Sequence, residues 1–382
     1  MTISLLKIMQ QFVAAKASDL FLTFGFPPTM RINGMMQKMS DTSLDDGDIK
    51  IFAEELLDEE QLDNFASTLE LNVIKVMGDA RLRINMFKQL QHDCFVIRRV
   101  ETDIPTIDQL ELPSSFKDLI MAKRGLVLVV GQTGSGKSTS LAAMIGHRNS
   151  HGSGHIITIE DPIEFVHRHQ NCIISQRDVG IDTYSYGMAL KNALRQTPDV
   201  ILIGEIRDRE TMEHAIAFAE TGHLCVSTLH ANNANGAIER ILNFFPIDAH
   251  RQVLANLSLN LRGIISQRLV EKKLSSQNKG GGRVVAVEVL LNEGVIRDYL
   301  HRGEVGKIKE IMEKNHDAGM QTFDQALVRL YQAGTISQDV AIDEADSPSN
   351  VRMEINQQTM QSKFGAAGGM GAAVTHNNRN DF

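Results

Sequence analysis

Hydrophobic and polar positions follow two different patterns along the chain. Over residues 1–100, apolar positions with helical spacing are mixed with short alternating runs, such as residues 18–24 and 81–86, that are typical of half-buried strands. This mixture predicts a small α+β domain. Residues 101–115 carry two prolines and little periodicity, and we interpret them as a linker between domains.

From residue 116 to about 345, strongly apolar runs alternate with helical segments. The alternation predicts a mostly parallel sheet with helices on both faces, which is an α/β fold. A capping box at Ser115 is expected to open the first helix. The runs that predict buried strands lie at residues 126–130, 155–159, 199–205 and 224–228.

The last part of this region and the C-terminus have their own patterns. Residues 270–289 predict a hairpin with a flexible tip at 275–282, and residues 294–334 have helical spacing. The glycine- and asparagine-rich composition of residues 346–382 predicts a disordered tail.

One stretch of eight residues matches the phosphate-loop pattern G-x-x-x-x-G-K-[ST] at every fixed position, between a predicted strand and a predicted helix. Backbone N–H groups of such a loop, together with the helix N-terminus, hold a polyphosphate. We expect Lys137 to reach the β- and γ-phosphates of ATP and Ser138 to hold Mg²⁺. The alternative is an ordinary glycine turn. The expected nucleotide-binding residues of this stretch are Gly131, Gln132, Thr133, Gly134, Ser135, Gly136, Lys137, Ser138 and Thr139.

Carboxylates follow two of the predicted strands. Glu160, Asp161 and Glu164 come directly after one strand, and Glu205 ends another. Since the carboxyl ends of parallel strands form the ligand crevice, we expect these groups near the phosphates. Glu205 is expected beside Mg²⁺, directly or through a water, and Glu164 is expected to orient the attacking water. The alternative for each carboxylate alone is solvation or helix capping.

Two histidines bracket the strand at 224–228. His223 and His230 are candidates for contact with the nucleotide, although groups at opposite ends of a strand can scarcely touch one phosphate together. For either residue taken alone, an ordinary core histidine is the better explanation.

Phosphoryl transfer also needs a cation on the developing charge, and no arginine of the nucleotide domain obviously supplies it. We therefore expect an arginine from a neighbouring copy, which implies oligomerisation. The candidates are Arg81, Arg83 and Arg98; Arg81 and Arg83 share one face of a predicted strand. The alternative is a solvated sheet face.

Composition narrows the class of protein. The 382 residues have a formal net charge of −8, which argues weakly against a dedicated nucleic-acid binder. We expect no transmembrane helix, because no apolar run approaches about 18 residues, and the first 20 residues make a poor signal peptide, so a cytosolic protein is predicted. The three scattered cysteines make a structural zinc site improbable.

Three segments resemble the boxes of the secretion ATPases. Residues 157–165 (ITIEDPIEF) are similar to the Asp box, residues 199–208 (DVILIGEIRD) to the Walker B segment, and residues 219–230 (AETGHLCVSTLH) to the His box. The resemblance implies a Mg²⁺-dependent ATPase that forms a homo-hexameric ring. Each subunit would have a PAS-like N-terminal domain and a RecA-like C-terminal domain. Glu164 and Glu205 would be the main catalytic carboxylates, and N-terminal arginines would reach the nucleotide.

Within that family the chain resembles the type IV pilus retraction group, PilT and PilU, which serves twitching motility. Residues 303–305, residues 319–327 and the extended tail are more similar to PilU. This implies an accessory to a PilT-like motor, acting peripherally at the inner membrane on the pilus platform protein.

Three alternatives stay open. The first is a nucleotide-gated scaffold that docks on a partner motor, and the second is a pilus assembly or type II secretion ATPase. Those assembly motors usually carry a four-cysteine zinc module, for which this sequence lacks the cysteines. The third is a DNA translocase, which the acidic balance disfavours.

Overall fold

The computed structural model describes residues 4–32, 34–273, 282–315 and 319–367. It contains two sheets, each with its own hydrophobic core. The N-terminal sheet is antiparallel, with strand order β3-β2-β1-β6-β5-β4. Its elements are α1 (Leu5–Ala14), β1 (Asp19–Leu22), β2 (Thr29–Ile32), β3 (Met35–Lys38), α2 (Asp46–Leu56), α3 (Glu59–Thr68), β4 (Glu70–Met77), β5 (Ala80–Gln89) and β6 (His92–Val100).

Periodicity explains why these segments fold as they do. In β5, Leu82, Ile84 and Met86 are buried, whereas Arg81 and Arg83 are half-buried on the other face, because successive strand residues point to opposite faces. α2 and α3 both begin with capping boxes, in which an aspartate side chain accepts from the backbone three residues on. The expected α+β architecture of this part is therefore present.

The second sheet has strand order β13-β12-β7-β11-β10-β8-β9; neighbouring strands are parallel except for the antiparallel pair β12–β13. The predicted α/β fold class is confirmed. The elements up to the fifth strand of the sheet are α4 (Ser115–Met121), β7 (Gly125–Gly131), α5 (Lys137–His151), β8 (Gly154–Glu160), β9 (Cys172–Asp178), α6 (Tyr186–Ala193), β10 (Val200–Ile203), α7 (Arg209–Glu220) and β11 (Leu224–Leu229). The later elements are α8 (Ala234–Leu242), α9 (His250–Asn260), β12 (Leu261–Glu271), β13 (Arg283–Leu291), α10 (Val295–Arg302), α11 (Ile308–Lys314), α12 (Phe323–Gln332), α13 (Gln338–Asp343) and α14 (Pro348–Ala367).

Every residue of β7, β10 and β11 is buried. The side chains of β7 alternate between two cores, since Leu126 and Leu128 pack on one face of the sheet and Val127 and Val129 on the other. A sheet covered on both faces places the carboxyl ends of its parallel strands along one edge. No helix in the described part of the chain is long and apolar enough to cross a membrane.

The structure differs from the sequence predictions at three elements. The expected capping box at Ser115 is wrong: α4 starts at that residue, and its hydroxyl is buried without a hydrogen-bond partner among the described residues. Strand β9 was not predicted, because it mixes apolar and polar residues at the sheet edge. The predicted hairpin begins earlier, at Leu261, and most of its expected flexible tip, residues 275–281, lies outside the described residues.

The expected disorder from residue 346 onward also differs from the structure. Helix α14 begins at Pro348, and its residues Val351 and Ile355 are buried in a cluster with Phe323 and Leu327 of α12. The two buried positions are four residues apart, which is the spacing of one helix face, but the glycine-rich composition further on hides that signal. Residues 368–382 of the expected tail lie outside the described residues.

We predict that docking of α14 contributes measurably to stability. Ile355→Ala removes a side chain that is 2% exposed and should lower the free energy of unfolding by about 2–5 kcal/mol, because a cavity is left in the cluster. Met353→Ala on the same helix is the control, because that side chain is 56% exposed. It should change the free energy of unfolding by less than about 0.5 kcal/mol. Urea denaturation measures both, and equal effects would show that the helix is not docked in solution.

Candidate functional site

The carboxyl ends of β8, β10 and β11 face the loop between β7 and α5 across a cavity of about 470 Å³. The sheet thus brings together groups as far apart in sequence as Thr133 and Arg283. The predicted site residues that line this pocket are Thr133, Gly134, Gly136, Lys137, Ser138, Thr139, Glu160, Asp161, Glu164, Glu205 and His230. Gln132 and Ser135 line an adjoining pocket on the other side of the same loop.

The loop needs its glycines for geometric reasons. Gly136 has φ of 90°, in the left-handed region that favours glycine. A Cβ on Gly131 would lie 2.5 Å from the Ser135 Oγ and 2.6 Å from the Gln267 carbonyl oxygen. The backbone can therefore curve tightly at the start of α5, where free N–H groups and the helix dipole favour an anion.

Lys137 lies at the mouth of this loop. Its Nζ donates hydrogen bonds of 2.8 Å to the carbonyl oxygens of Gly131 and Gln132. Burial lowers the pKa of Lys137, and the carboxylates of Glu205 and Glu164 act in the opposite direction. The ammonium group is thus held between the loop and the carboxylates, in position to meet an anionic ligand.

Glu205 is held at both carboxylate oxygens. His230 Nε2 lies 3.0 Å from Oε1, and Arg207 Nε donates to Oε2 at 2.7 Å. Arg207 also lies 3.7 Å from the Asp161 carboxylate. The hydrogen bond from Arg207 to Glu205 raises the pKa of Arg207. These contacts fix the orientation of the carboxylate at the end of β10.

Glu160 occupies the end of β8 and has an unusual protonation equilibrium. Burial raises its pKa to about 7, although hydrogen bonds from Thr158 (2.6 Å) and Gln176 (3.4 Å) favour the charged form. Repulsion from Glu164 and Asp178 adds to the increase. The pocket therefore contains a carboxyl group that titrates near neutral pH.

His223 does not join this pocket. It precedes β11 at the amino end of the strand, where its ring is 3.1 Å from the Thr221 hydroxyl. The six residues of β11 separate it from His230 by roughly 20 Å. Within one chain the strand thus places the two histidines at opposite ends, and the contact of His223 with a nucleotide stays a prediction.

The three N-terminal arginines do not line the pocket of their own chain either. Arg98 donates to the buried carboxylate of Asp19 at 2.8 Å and is the cross-strand neighbour of Arg83. Arg81 and Arg83 lie close enough to Asp178 at the end of β9 to oppose the increase that burial causes in its pKa. Their predicted contact with the nucleotide of a neighbouring copy stays a prediction.

Sequence reasoning missed several residues that line the pocket. Arg207 carried a usable signal, since it stands two positions after Glu205, whereas no local pattern marked Arg283, which the antiparallel strand β13 brings to the pocket. The other missed lining residues are Pro162, Tyr186, Gly204, Thr228 and Leu269.

A phosphate loop on a parallel sheet, with carboxylates at the strand ends, defines the P-loop class of nucleotide-binding proteins. The chain belongs to the Type II/IV secretion system protein family, whose sequence profile matches residues 2–361.

Individual relatives agree with this assignment. The chain is 50% identical over 350 residues to the type IV pilus ATPase PilU of Pseudomonas aeruginosa, covering 91% of this chain and 90% of that protein. It is 38% identical over 335 residues to the type IV pilus retraction ATPase PilT of the same organism, covering 87% and 96%. Among solved structures, the pilus retraction motor PilT with bound ADP superposes with a TM-score of 0.83 at 39% identity, covering 91% of this chain and 98% of that one.

The protonation of Glu160 generates a prediction about pH. The folded protein keeps a proton on Glu160 that the unfolded chain releases at lower pH, so this residue costs stability as the pH rises through about 7. Glu160→Gln removes the titration. The variant should gain roughly 1–3 kcal/mol relative to wild type between pH 5 and pH 8. Urea unfolding without nucleotide across this range measures the difference; parallel pH curves would contradict the assignment.

Proposed function

We propose that this chain is an ATP-hydrolysing motor of type IV pilus retraction and twitching motility, and that it acts as a PilU-like accessory to a PilT-like motor. The observation that carries the proposal is the pocket in which Lys137 of the phosphate loop faces Glu164, Glu205 and His230. The PilU and PilT relatives, which the chain matches over nearly their whole length, are pilus ATPases and support the biological process.

Binding of the triphosphate falls to the loop and to Lys137. The backbone N–H groups at residues 131–139 and the N-terminus of α5 would hold the β- and γ-phosphates. The ammonium group of Lys137 would exchange its two loop carbonyls for phosphate oxygens. Gln132 and Ser135 belong to the same loop but line the adjoining pocket.

The donor set of the pocket fits a magnesium ion. Mg²⁺ prefers oxygen ligands, and the pocket offers the hydroxyl of Ser138 and the carboxylate of Glu205, which would hold the ion directly or through water. When bound, the ion neutralises charge on the phosphates during transfer. Asp161 and the protonatable Glu160 lie in the same pocket.

Hydrolysis requires a water in line with the γ-phosphate and a cation for the developing charge. Glu164 follows the cis Asp161–Pro162 bond in a loop that borders the pocket, and we assign it the role of orienting the water. His230, whose Nε2 lies 3.0 Å from the Glu205 carboxylate, would sense the γ-phosphate. Arg207 is paired with Glu205, and we assign the cation to Arg81, Arg83 or Arg98 of an adjacent subunit; Arg283 of the same chain, which also lines the pocket, is the alternative.

This requirement for a neighbour supports a homo-hexameric ring, in which each interface completes one site. Within the cell we place the ring at the cytoplasmic side of the inner membrane, held there by the pilus platform protein and working beside a PilT-like motor. No nucleic acid is expected as a partner.

Steady-state hydrolysis tests the enzymatic part of the proposal. Lys137→Ala should abolish nucleotide binding, because the loop loses its ammonium group. Glu205→Gln should keep binding within a few-fold but lower turnover by at least about 100-fold, because a charged group at the reacting centre is neutralised. A coupled phosphate-release assay with Mg²⁺-ATP and calorimetric binding of ADP separate the two effects.

The controls are matched in chemistry. Lys123→Ala and Glu54→Gln make the same changes at exposed positions outside the pocket and should keep wild-type turnover. Wild-type turnover in both pocket variants would refute the proposal. Wild-type protein that binds ATP without hydrolysing it would favour the nucleotide-gated scaffold instead.

The origin of the arginine can be tested by mixing two inactive chains. In a ring with sites at the interfaces, Lys137→Ala supplies intact arginines, and an Arg81→Ala/Arg83→Ala/Arg98→Ala variant supplies an intact phosphate loop. Random mixing should restore about a quarter of the wild-type interfaces, and with them that fraction of turnover. Each chain alone should be inactive. Absence of rescue in mixed rings would place the cation in the same chain.

A further inference from the structure

One side chain on the neighbouring strand β9 makes hydrogen bonds to the loop that follows β8. Gln176 of β9 donates from Nε2 to the carbonyl oxygen of Phe165 at 2.9 Å, and its Oε1 accepts from the backbone N–H of His167 at 2.7 Å. The same Nε2 also reaches the carboxylate of Glu160 at 3.4 Å. One amide thus holds both the end of β8 and the segment just beyond Glu164.

The loop has a second attachment, which comes from the N-terminal domain. The backbone of Glu101, directly after β6, donates to the carbonyl oxygen of Glu164 at 3.3 Å and accepts from the N–H of Val166 at 3.0 Å. The guanidinium group of Arg99 donates one hydrogen bond to the Glu101 carboxylate at 3.2 Å and another to the carbonyl oxygen of Ala17 at 3.3 Å. If Gln176 were lost, the loop would keep its backbone hydrogen bonds to Glu101 but would lose the contacts that fix its orientation against β9.

The chemistry of an amide is required at position 176. Its NH₂ group donates to a carbonyl and its oxygen accepts from an N–H, so a carboxylate could satisfy only the second contact and an apolar side chain neither. The residue is half-buried and does not line the pocket. It can influence a reaction there only through the groups that it holds.

We propose that Gln176 is a positioning residue for the hydrolytic site: its side-chain amide fixes the loop at residues 161–167, and with it the placement of Glu164 and Glu160. This rests on the proposed function, since the reaction concerned is ATP hydrolysis. Displacing a catalytic group by about 1 Å can cost 100-fold in rate, so a residue that never contacts substrate can control turnover.

Two variants separate positioning from general stability. Gln176→Met keeps the approximate length without polar atoms, and Gln176→Glu keeps the shape but adds a charge beside Glu160. Gln37→Glu on the exposed edge strand β3 is the matched control for the added charge. In both Gln176 variants we expect turnover to fall about 10- to 100-fold while ADP binding stays within about three-fold.

Gln176→Glu should also move the pH profile. Besides the new carboxylate, the charged or titratable groups that act on or with Glu160 are Glu164, Asp178 and the hydroxyl of Tyr186. A further negative charge favours the protonated form of Glu160, so the loss of unfolding free energy that accompanies its ionisation should shift to higher pH in urea denaturation. Gln176→Met and Gln37→Glu should not produce an alkaline shift of that size.

Amide hydrogen exchange tests whether Gln176 orders the loop, and this measurement does not depend on ATP hydrolysis. Exchange over residues 161–168 should accelerate in Gln176→Met and stay unchanged elsewhere in the chain. Turnover within two-fold of wild type, or exchange that accelerates equally in all segments, would overturn the positioning role. An inactive wild type would instead refute the proposed function, and local exchange would still report whether Gln176 orders the loop.

Discussion

The pocket depends on a sheet whose strands cannot slide past one another. β7, β10 and β11 are buried on both faces, so a shift of one residue would turn every side chain toward the wrong core. Their carboxyl ends therefore stay at one edge, and the polar residue that follows each strand has a fixed position. The phosphate loop, Glu205 and His230 meet because three hydrophobic strands end together.

Charge balance is the second constraint on the site. The pocket holds four carboxyl groups, Glu160, Asp161, Glu164 and Glu205, against the cations Lys137, Arg207 and Arg283. Ion pairing commits Arg207 to Glu205, and the raised pKa of Glu160 relieves part of the repulsion by keeping a proton. A polyphosphate would add further negative charge, so this pocket favours a ligand that arrives with a metal ion and a site completed by another basic group.

The sequence could predict the parts of the site that depend on local pattern. A glycine loop between a strand and a helix, and carboxylates directly after apolar runs, can be recognised within a few residues of sequence. Arg283 could not be found in this way, because the antiparallel pairing of β13 with β12 brings it in across a hairpin. The separation of His223 from His230 could also be predicted, because the two histidines bracket a recognisable apolar run and only His230 follows its carboxyl end. Helix α14 was missed because the buried residues Val351 and Ile355 precede a long polar and glycine-rich stretch.

The junction between the two domains makes these constraints interdependent. Backbone hydrogen bonds from Glu101 hold the residues on both sides of Phe165, and the Gln176 side chain on the second sheet hydrogen-bonds to the same segment. The position of Glu164 therefore depends both on the backbone of Glu101 after β6 and on the side chain of Gln176 on β9. Arg81 and Arg83 act electrostatically on Asp178, which is the cross-strand partner of Glu160. The positive charges of the N-terminal domain therefore influence the surroundings of Glu160 through one carboxylate. A change in the docking of the two domains must then alter both the geometry and the protonation of the pocket at once.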